Sequence, residues 1–168
     1  MKYLVASDFH GSVTALTRFL QAFEHEKPDC LILLGDLLHG HYDTDTEKVG
    51  YALADLPCPK LACMGNCDFP SDEAILGFPL AEAGATYFEG RCVHYQHHPF
   101  YVAFPPGDIC LFGHTHVKVL YKAQGVVYLN PGSVALPRDS CPSYAIMEDK
   151  KLILKNLLDF SEIESLVL

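Results

Sequence analysis

Four short blocks of the chain carry side chains that bind cations: Asp8-Phe9-His10, Gly35-Asp36, Gly65-Asn66-Cys67-Asp68 and Gly113-His114-Thr115-His116. Each follows an apolar run, so each stands where a buried strand would end and the backbone turn. Carboxylate and imidazole donors together suit borderline divalent ions such as manganese, iron or zinc, whereas calcium takes oxygen ligands only. A single zinc site uses about four ligands. Asp8, His10, Asp36, Asn66, His114, His116 and one histidine of the run Tyr95-Gln96-His97-His98 are too many for one ion. Two ions account for the inventory better, and one carboxylate, best assigned to Asp36, then has to bridge them.

The elements that must position these groups follow from the hydrophobic pattern. Tyr3 to Ala6 reads as a buried strand, and Ser12 can cap a helix whose apolar positions Val13, Leu16, Phe19, Leu20 and Phe23 recur at helical spacing. Cys30 to Leu34 reads as the next strand, Thr46 to Leu56 as a helix and Lys60 to Met64 as a third strand. This βαβαβ order predicts a parallel sheet whose C-terminal strand ends share one edge, where α/β proteins bind ligands. After Gly84 the pattern changes to strands at Thr86 to Phe88, Arg91 to Gln96, Ile109 to Phe112, Lys118 to Tyr121, Val126 to Leu129, Ser143 to Met147 and Leu152 to Lys155. Glu89-Gly90, Gln124-Gly125 and Asp149-Lys150 are the expected hairpin turns. With no repeat or linker, the two halves are expected to form two sheets packed in a single domain spanning residues 1–168; the tail from Ser161 to Leu168 carries no readable pattern.

Composition narrows the class. A chain of 168 residues with 49% hydrophobic content can bury a core as one domain. The formal net charge of -9 argues against binding nucleic acid by blanket phosphate neutralisation, yet leaves room for a site where metal ions supply the positive charge. Seven cysteines without a CxxC pair favour neither a disulfide framework nor a zinc ribbon. The N-terminal apolar run is too short for a signal h-region and no stretch approaches a membrane span, so a cytoplasmic protein is expected.

The four blocks in this order, with the later Asn130-Pro131-Gly132-Ser133 and Pro142-Ser143-Tyr144, resemble the calcineurin-like metallophosphoesterases, and within them the small bacterial phosphodiesterases. The resemblance implies an α/β fold, an αββα sandwich of two mixed sheets, with a two-metal centre. By position it puts Asp8, His10, Asp36 and His116 on one ion, and Asp36, Asn66, His114 and one further histidine on the other. It also implies hydrolysis of phosphodiesters by a hydroxide bridging two divalent ions, with Mn2+ favoured and Zn2+, Fe2+ or Ni2+ as alternatives. The expected partner is a small phosphoester, with no membrane and no long nucleic acid; a homo-oligomer is compatible with the sequence. The alternatives are a phosphomonoesterase or nuclease on the same site, or a scaffold that uses the fold to bind partner proteins. A degenerate metal set would mark the scaffold, and this chain retains Asp8, His10, Asp36, Asn66, His114 and His116.

The chain departs from the family at the further histidine: the usual His-Gly-His segment followed by a helix is replaced by His97-His98-Pro99 and a short loop. On a strand of period two, His94, Gln96 and His98 face one way and Tyr95 and His97 the other. His97 sits where the apolar strand ends, and Pro99 biases His98 toward an extended backbone. His97 is therefore assigned to the second ion. Asp36, Asn66 and His97 are read as the catalytic residues and His39, Asp68 and His98 as those touching substrate. Cys67 has no evident base partner for a nucleophilic role. Asn130 to Ser133 reads as a bracing turn, Arg138 faces either a phosphate or a surface carboxylate, and His25 and His94 default to structural roles.

Overall fold

The computed structural model describes all residues from Met1 to Leu168. Strand β1 (Tyr3–Ala6) leads into α1 (Val13–Glu26), β2 (Cys30–Leu33), α2 (Thr46–Ala54) and β3 (Lys60–Ala62). The Ser12 hydroxyl accepts from the Ala15 N–H at 3.1 Å, which caps α1. At the other end Lys27 adopts a left-handed conformation, and Pro28 follows. A 3₁₀ turn (Pro70–Asp72) and a short helix α3 (Glu73–Leu76) come next. The remaining strands are β4 (Ala83–Phe88), β5 (Arg91–Gln96), β6 (Ile109–Leu111), β7 (Lys118–Ala123), β8 (Val126–Pro131), β9 (Ser143–Glu148), β10 (Lys151–Asn156) and β11 (Glu162–Val167).

These strands form a six-stranded sheet in the order β11-β10-β9-β1-β2-β3 and a five-stranded sheet in the order β4-β5-β6-β8-β7. The β1-β2-β3 pairs are parallel, as the crossovers predict. The division into an N-terminal and a C-terminal sheet is corrected: β9 returns to pair antiparallel with β1, with Val5 opposite Ala145. Its residue pattern gives the reason. Tyr144 and Ile146 join the core beneath the helices, while Ala145 and Met147 join the core between the sheets. A strand apolar on both faces is stable only where both faces are covered. β1 shows the same alternation, with Leu4 and Ala6 toward the helices and Tyr3 and Val5 toward the second sheet. The tail, without a pattern in sequence, forms edge strand β11 against β10. The three expected turns are present, with both central residues at positive φ in each.

The helices cover only the six-stranded sheet. Parallel neighbours β5 and β6 are joined by the irregular segment from His97 to Asp108, and Phe104 of that segment packs on His94 of β5 with ring centroids 4.3 Å apart.

One buried charge ties the six-stranded sheet to α1. The Glu26 side chain, 4% exposed, meets Lys2 Nζ at 2.7 Å and Lys155 Nζ, and accepts from the Tyr144 hydroxyl at 2.7 Å. Burial opposes its ionisation, but hydrogen bonds from Lys155, Lys2 and Tyr144 outweigh that and hold the carboxyl at about 2, against an ordinary 4.5. A depressed carboxyl contributes stability that is fully present above its unfolded value and is lost as pH falls toward the folded one. Glu26→Gln is expected to cost roughly 2–3 kcal/mol at pH 7. The gap to the wild type should close as pH falls from about 4.5 to about 2, which urea unfolding at both ends of the range would measure.

Candidate metal centre

The ends of β1, β2, β3, β5 and β6 converge on one edge of the sandwich, and five of the side chains there stand on left-handed backbone. Asp8, His10, Asp36, His114 and His116 have φ of 59°, 50°, 53°, 64° and 58°. Such angles are uncommon outside glycine, though Asp and His tolerate them better than most residues, and they let a chain leaving a strand turn its side chain back over the strand end. The turns also need close backbone approach. Gly35 has φ +86°, and a Cβ there would fall 2.6 Å from Gly65 N and 2.8 Å from His97 Nδ1.

Two groups of ligand atoms result. Asp8, His10, Asp36 and His116 each offer one atom, and these atoms lie within 4.8 Å of one another. In the other group Asn66 Oδ1 stands 3.0 Å from His97 Nε2 and 2.8 Å from His114 Nδ1, and those two nitrogens are 3.3 Å apart. Asp36 belongs to both groups: its Oδ2 is 3.7 Å from His10 Nε2 and 3.5 Å from His97 Nε2. Its Oδ1 accepts from the Cys67 N–H at 2.7 Å. Burial works against the Asp36 charge, but the His97 hydrogen bond and the Cys67 N–H prevail and hold the carboxyl at about 2.

Three imidazoles are oriented by main-chain carbonyls. His10 Nδ1 lies 2.8 Å from the His39 oxygen, His97 Nδ1 2.6 Å from the Leu34 oxygen and His116 Nδ1 2.8 Å from the Leu136 oxygen. A carbonyl can only accept, so each Nδ1 carries the proton and each Nε2 presents its lone pair to the centre, the arrangement metal-binding histidines require. Asp8 supplies the test of fit. Its carboxylate is fully buried and neither oxygen has a hydrogen-bond partner; the nearest imidazole nitrogen, His116 Nε2, is 3.3 Å from Oδ1. A buried carboxylate without donors is costly unless a cation neutralises it. The residues therefore fit a divalent ion.

The other expected site residues divide. Asp68 is corrected: it is buried, and its two oxygens accept from the backbone N–H groups of Asp36, Leu37 and Gly65 at 2.7, 2.7 and 2.8 Å, so it braces the two loops and does not face substrate. The His39 ring is turned to Asp72, with Nε2 3.0 Å from Oδ2; the main-chain oxygen of His39 is what acts on the site, through His10. His98 is exposed, and its ring lies 4.3 Å from that of His114. Beside it opens a cavity of about 250 Å³ lined by Met64, Glu82, Ala83, Gln96, His97 and His98.

Burial and then the Asp36 charge push the Cys67 thiol up to about 11, so it is not a thiolate at neutral pH. Arg138 pairs with no carboxylate; its Nε donates to the Thr115 oxygen at 3.1 Å. Sequence reasoning did not find Leu34 and Leu136, which act through a carbonyl; in the expected bracing turn the Ser133 hydroxyl donates to the Asp8 carbonyl at 2.9 Å. Asn130 does brace the histidine loop, donating to the Gly113 oxygen at 2.7 Å and Thr115 Oγ1 at 3.0 Å.

Two mixed sheets whose strand ends gather carboxylates, an amide and imidazoles define a metallophosphoesterase fold. The chain belongs to the calcineurin-like phosphoesterase superfamily, whose domain model matches residues 1–151. It is 32% identical over 174 aligned residues to the phosphodiesterase YfcE of Escherichia coli, covering 96% of this chain and 95% of that one. The structure of YfcE, described as a phosphoesterase, superposes with a TM-score of 0.92 over 99% of both chains. The probable metallophosphoesterase YsnB of Bacillus subtilis is 30% identical over 153 residues, 88% of this chain and 83% of that one. The fold is also that of Vps29 from Entamoeba histolytica, solved with Zn2+, at 20% identity and a TM-score of 0.69 over 99% of both chains. No helix is long and apolar enough to cross a membrane.

Proposed function

We propose that this chain is a phosphodiesterase that works with two divalent metal ions, held by Asp8, His10, Asp36 and His116 on one side and by Asp36, Asn66, His97 and His114 on the other. The observation that carries the reading is the single Asp36 oxygen lying 3.7 Å from His10 Nε2 and 3.5 Å from His97 Nε2, between two otherwise separate ligand groups. When bound, two such ions supply Lewis acidity that lowers the pKa of a water and offsets the negative charge of a phosphodiester. The mixed oxygen and nitrogen donors suit manganese, with zinc, iron and nickel as competitors.

The protein's own part is placement. Main-chain carbonyls of Leu34, His39 and Leu136 lock three imidazoles, Asp68 holds the loops that carry Asp36 and Asn66, and Asn130 holds the histidine loop, so the donor atoms need little rearrangement to act. His98, at the mouth of the centre, is placed to meet the substrate or its departing oxygen. The adjoining cavity of about 250 Å³ has room for a small organic group on phosphorus. That size and the net charge of -9 favour a small diester over long nucleic acid. A degraded ligand set would mark the scaffold reading, and the retention of Asp8, His10, Asp36, Asn66, His114 and His116 supports an enzyme instead.

Stripping the protein with a chelator is expected to abolish hydrolysis of an aryl phosphodiester, and manganese to restore it more fully than magnesium, which prefers oxygen ligands. Full turnover in excess chelator after verified metal loss would overturn the proposal.

A further inference from the structure

Away from the metal centre, the outer face of the five-stranded sheet holds another set of ligand atoms. Cys92, His94 and Asp108 each offer one, all within 4.8 Å of one another, and all three residues are partly buried. Cys92 and His94 are two residues apart on β5, on the face opposite Val93 and Tyr95, which enter the core between the sheets. Asp108 stands immediately before β6, the parallel neighbour of β5. His94 Nε2 lies 2.8 Å from Asp108 Oδ2, and the Phe104 ring packs against the imidazole. An ion pair would account for His94 and Asp108 alone. It leaves unexplained a thiol at the same point.

We propose that Cys92, His94 and Asp108 bind a further divalent cation of the zinc type, with water as a fourth ligand, and that it clamps the base of the His97–Asp108 connection. One thiolate, one imidazole and one carboxylate form a donor set for a tetrahedral borderline-soft ion, and the thiolate sets this site apart from the oxygen and nitrogen donors of the phosphoesterase centre. The ligands bracket the connection, two before it and one at its last residue. The segment needs such a clamp: from His98 to Pro106 no backbone N–H donates to another backbone group, and Tyr101 and Val102 are 89% and 66% exposed. A metal that ties the ends of a loop lowers its entropy when open and so favours the closed form. His97 and His98 lie at the start of this segment, upstream of the Asp108 ligand.

Cobalt distinguishes the two kinds of site. Titrating the chelator-treated protein with Co2+ is expected to give a near-ultraviolet thiolate-to-cobalt charge-transfer band that saturates at one equivalent of that site per chain. Cys92→Ser should lose the band and keep the phosphodiesterase activity of the manganese-loaded protein, while Cys67→Ser, altered beside the other centre, should keep the band. Asp108→Asn retains the thiol and should weaken the cobalt affinity read from the band by at least about tenfold. No band in the wild type, a band that survives Cys92→Ser, or an unchanged affinity in Asp108→Asn overturns the proposal.

Discussion

Asp36→Asn should lower kcat/KM on an aryl phosphodiester by roughly 10³-fold, about 4 kcal/mol of transition-state stabilisation, and should loosen both ions at once. The substitution keeps the volume and leaves an oxygen able to accept from the Cys67 N–H, so the fold has no reason to fail. What it removes is charge. Asp36 is the one carboxylate common to the two ligand groups, and hydrogen bonds keep it ionised down to a pH of about 2. Its neutral analogue leaves Asp8 as the only carboxylate on one side and leaves Asn66, His97 and His114 with no carboxylate on the other. Metal analysis beside steady-state rates checks this. A variant that holds two manganese ions at near wild-type rate would remove Asp36 from the bridging position.

His97→Ala should be nearly as damaging, at about a hundredfold or more in rate with loss of one manganese ion, because His97 Nε2 sits within 3.5 Å of Asp36 Oδ2 and 3.0 Å of Asn66 Oδ1. His94→Ala, on the outer sheet face, should leave the manganese content and the activity of the centre intact. His98→Ala should slow turnover while metal binding persists, since its ring flanks His114 without joining either ligand group. Manganese is the ion to count, because a thiolate-containing site disfavours it. If His97→Ala keeps both ions and His98→Ala loses one, the ligand assignment is wrong by one residue.

Period two put the His97 side chain inside and the His98 side chain outside, as the structure has them. Val93 and Tyr95 are buried between the sheets, and His97 continues on their side as the strand ends, so its imidazole enters the same interior. The apolar runs likewise gave β1 and β2 nearly to the residue, because strands covered on both faces have almost no polar positions to blur their limits. Asp68 failed for the opposite reason. A carboxylate beside a glycine-asparagine turn looks the same in sequence whether it points at solvent or accepts three buried N–H groups from loops 32 residues apart in the chain.

The sequence by itself determined the kinds of donor, the strand ends that carry them and a first sheet with parallel β1, β2 and β3, since residue type and periodicity are local properties. Tertiary structure decided which sheet β9 joins, since pairing partners are chosen by who can cover each face of a strand and not by position along the chain. It also decided the split between His114 and His116. That depends on left-handed backbone at both residues and on an asparagine from β8 holding the loop, which turns one imidazole to Asn66 and His97 and the other to Asp8 and His10. Finally, which nitrogen of His10, His97 and His116 faces the centre rests on three main-chain carbonyls. Every residue has a carbonyl, so its use as an acceptor leaves no mark in a sequence and appears only when the chain is folded.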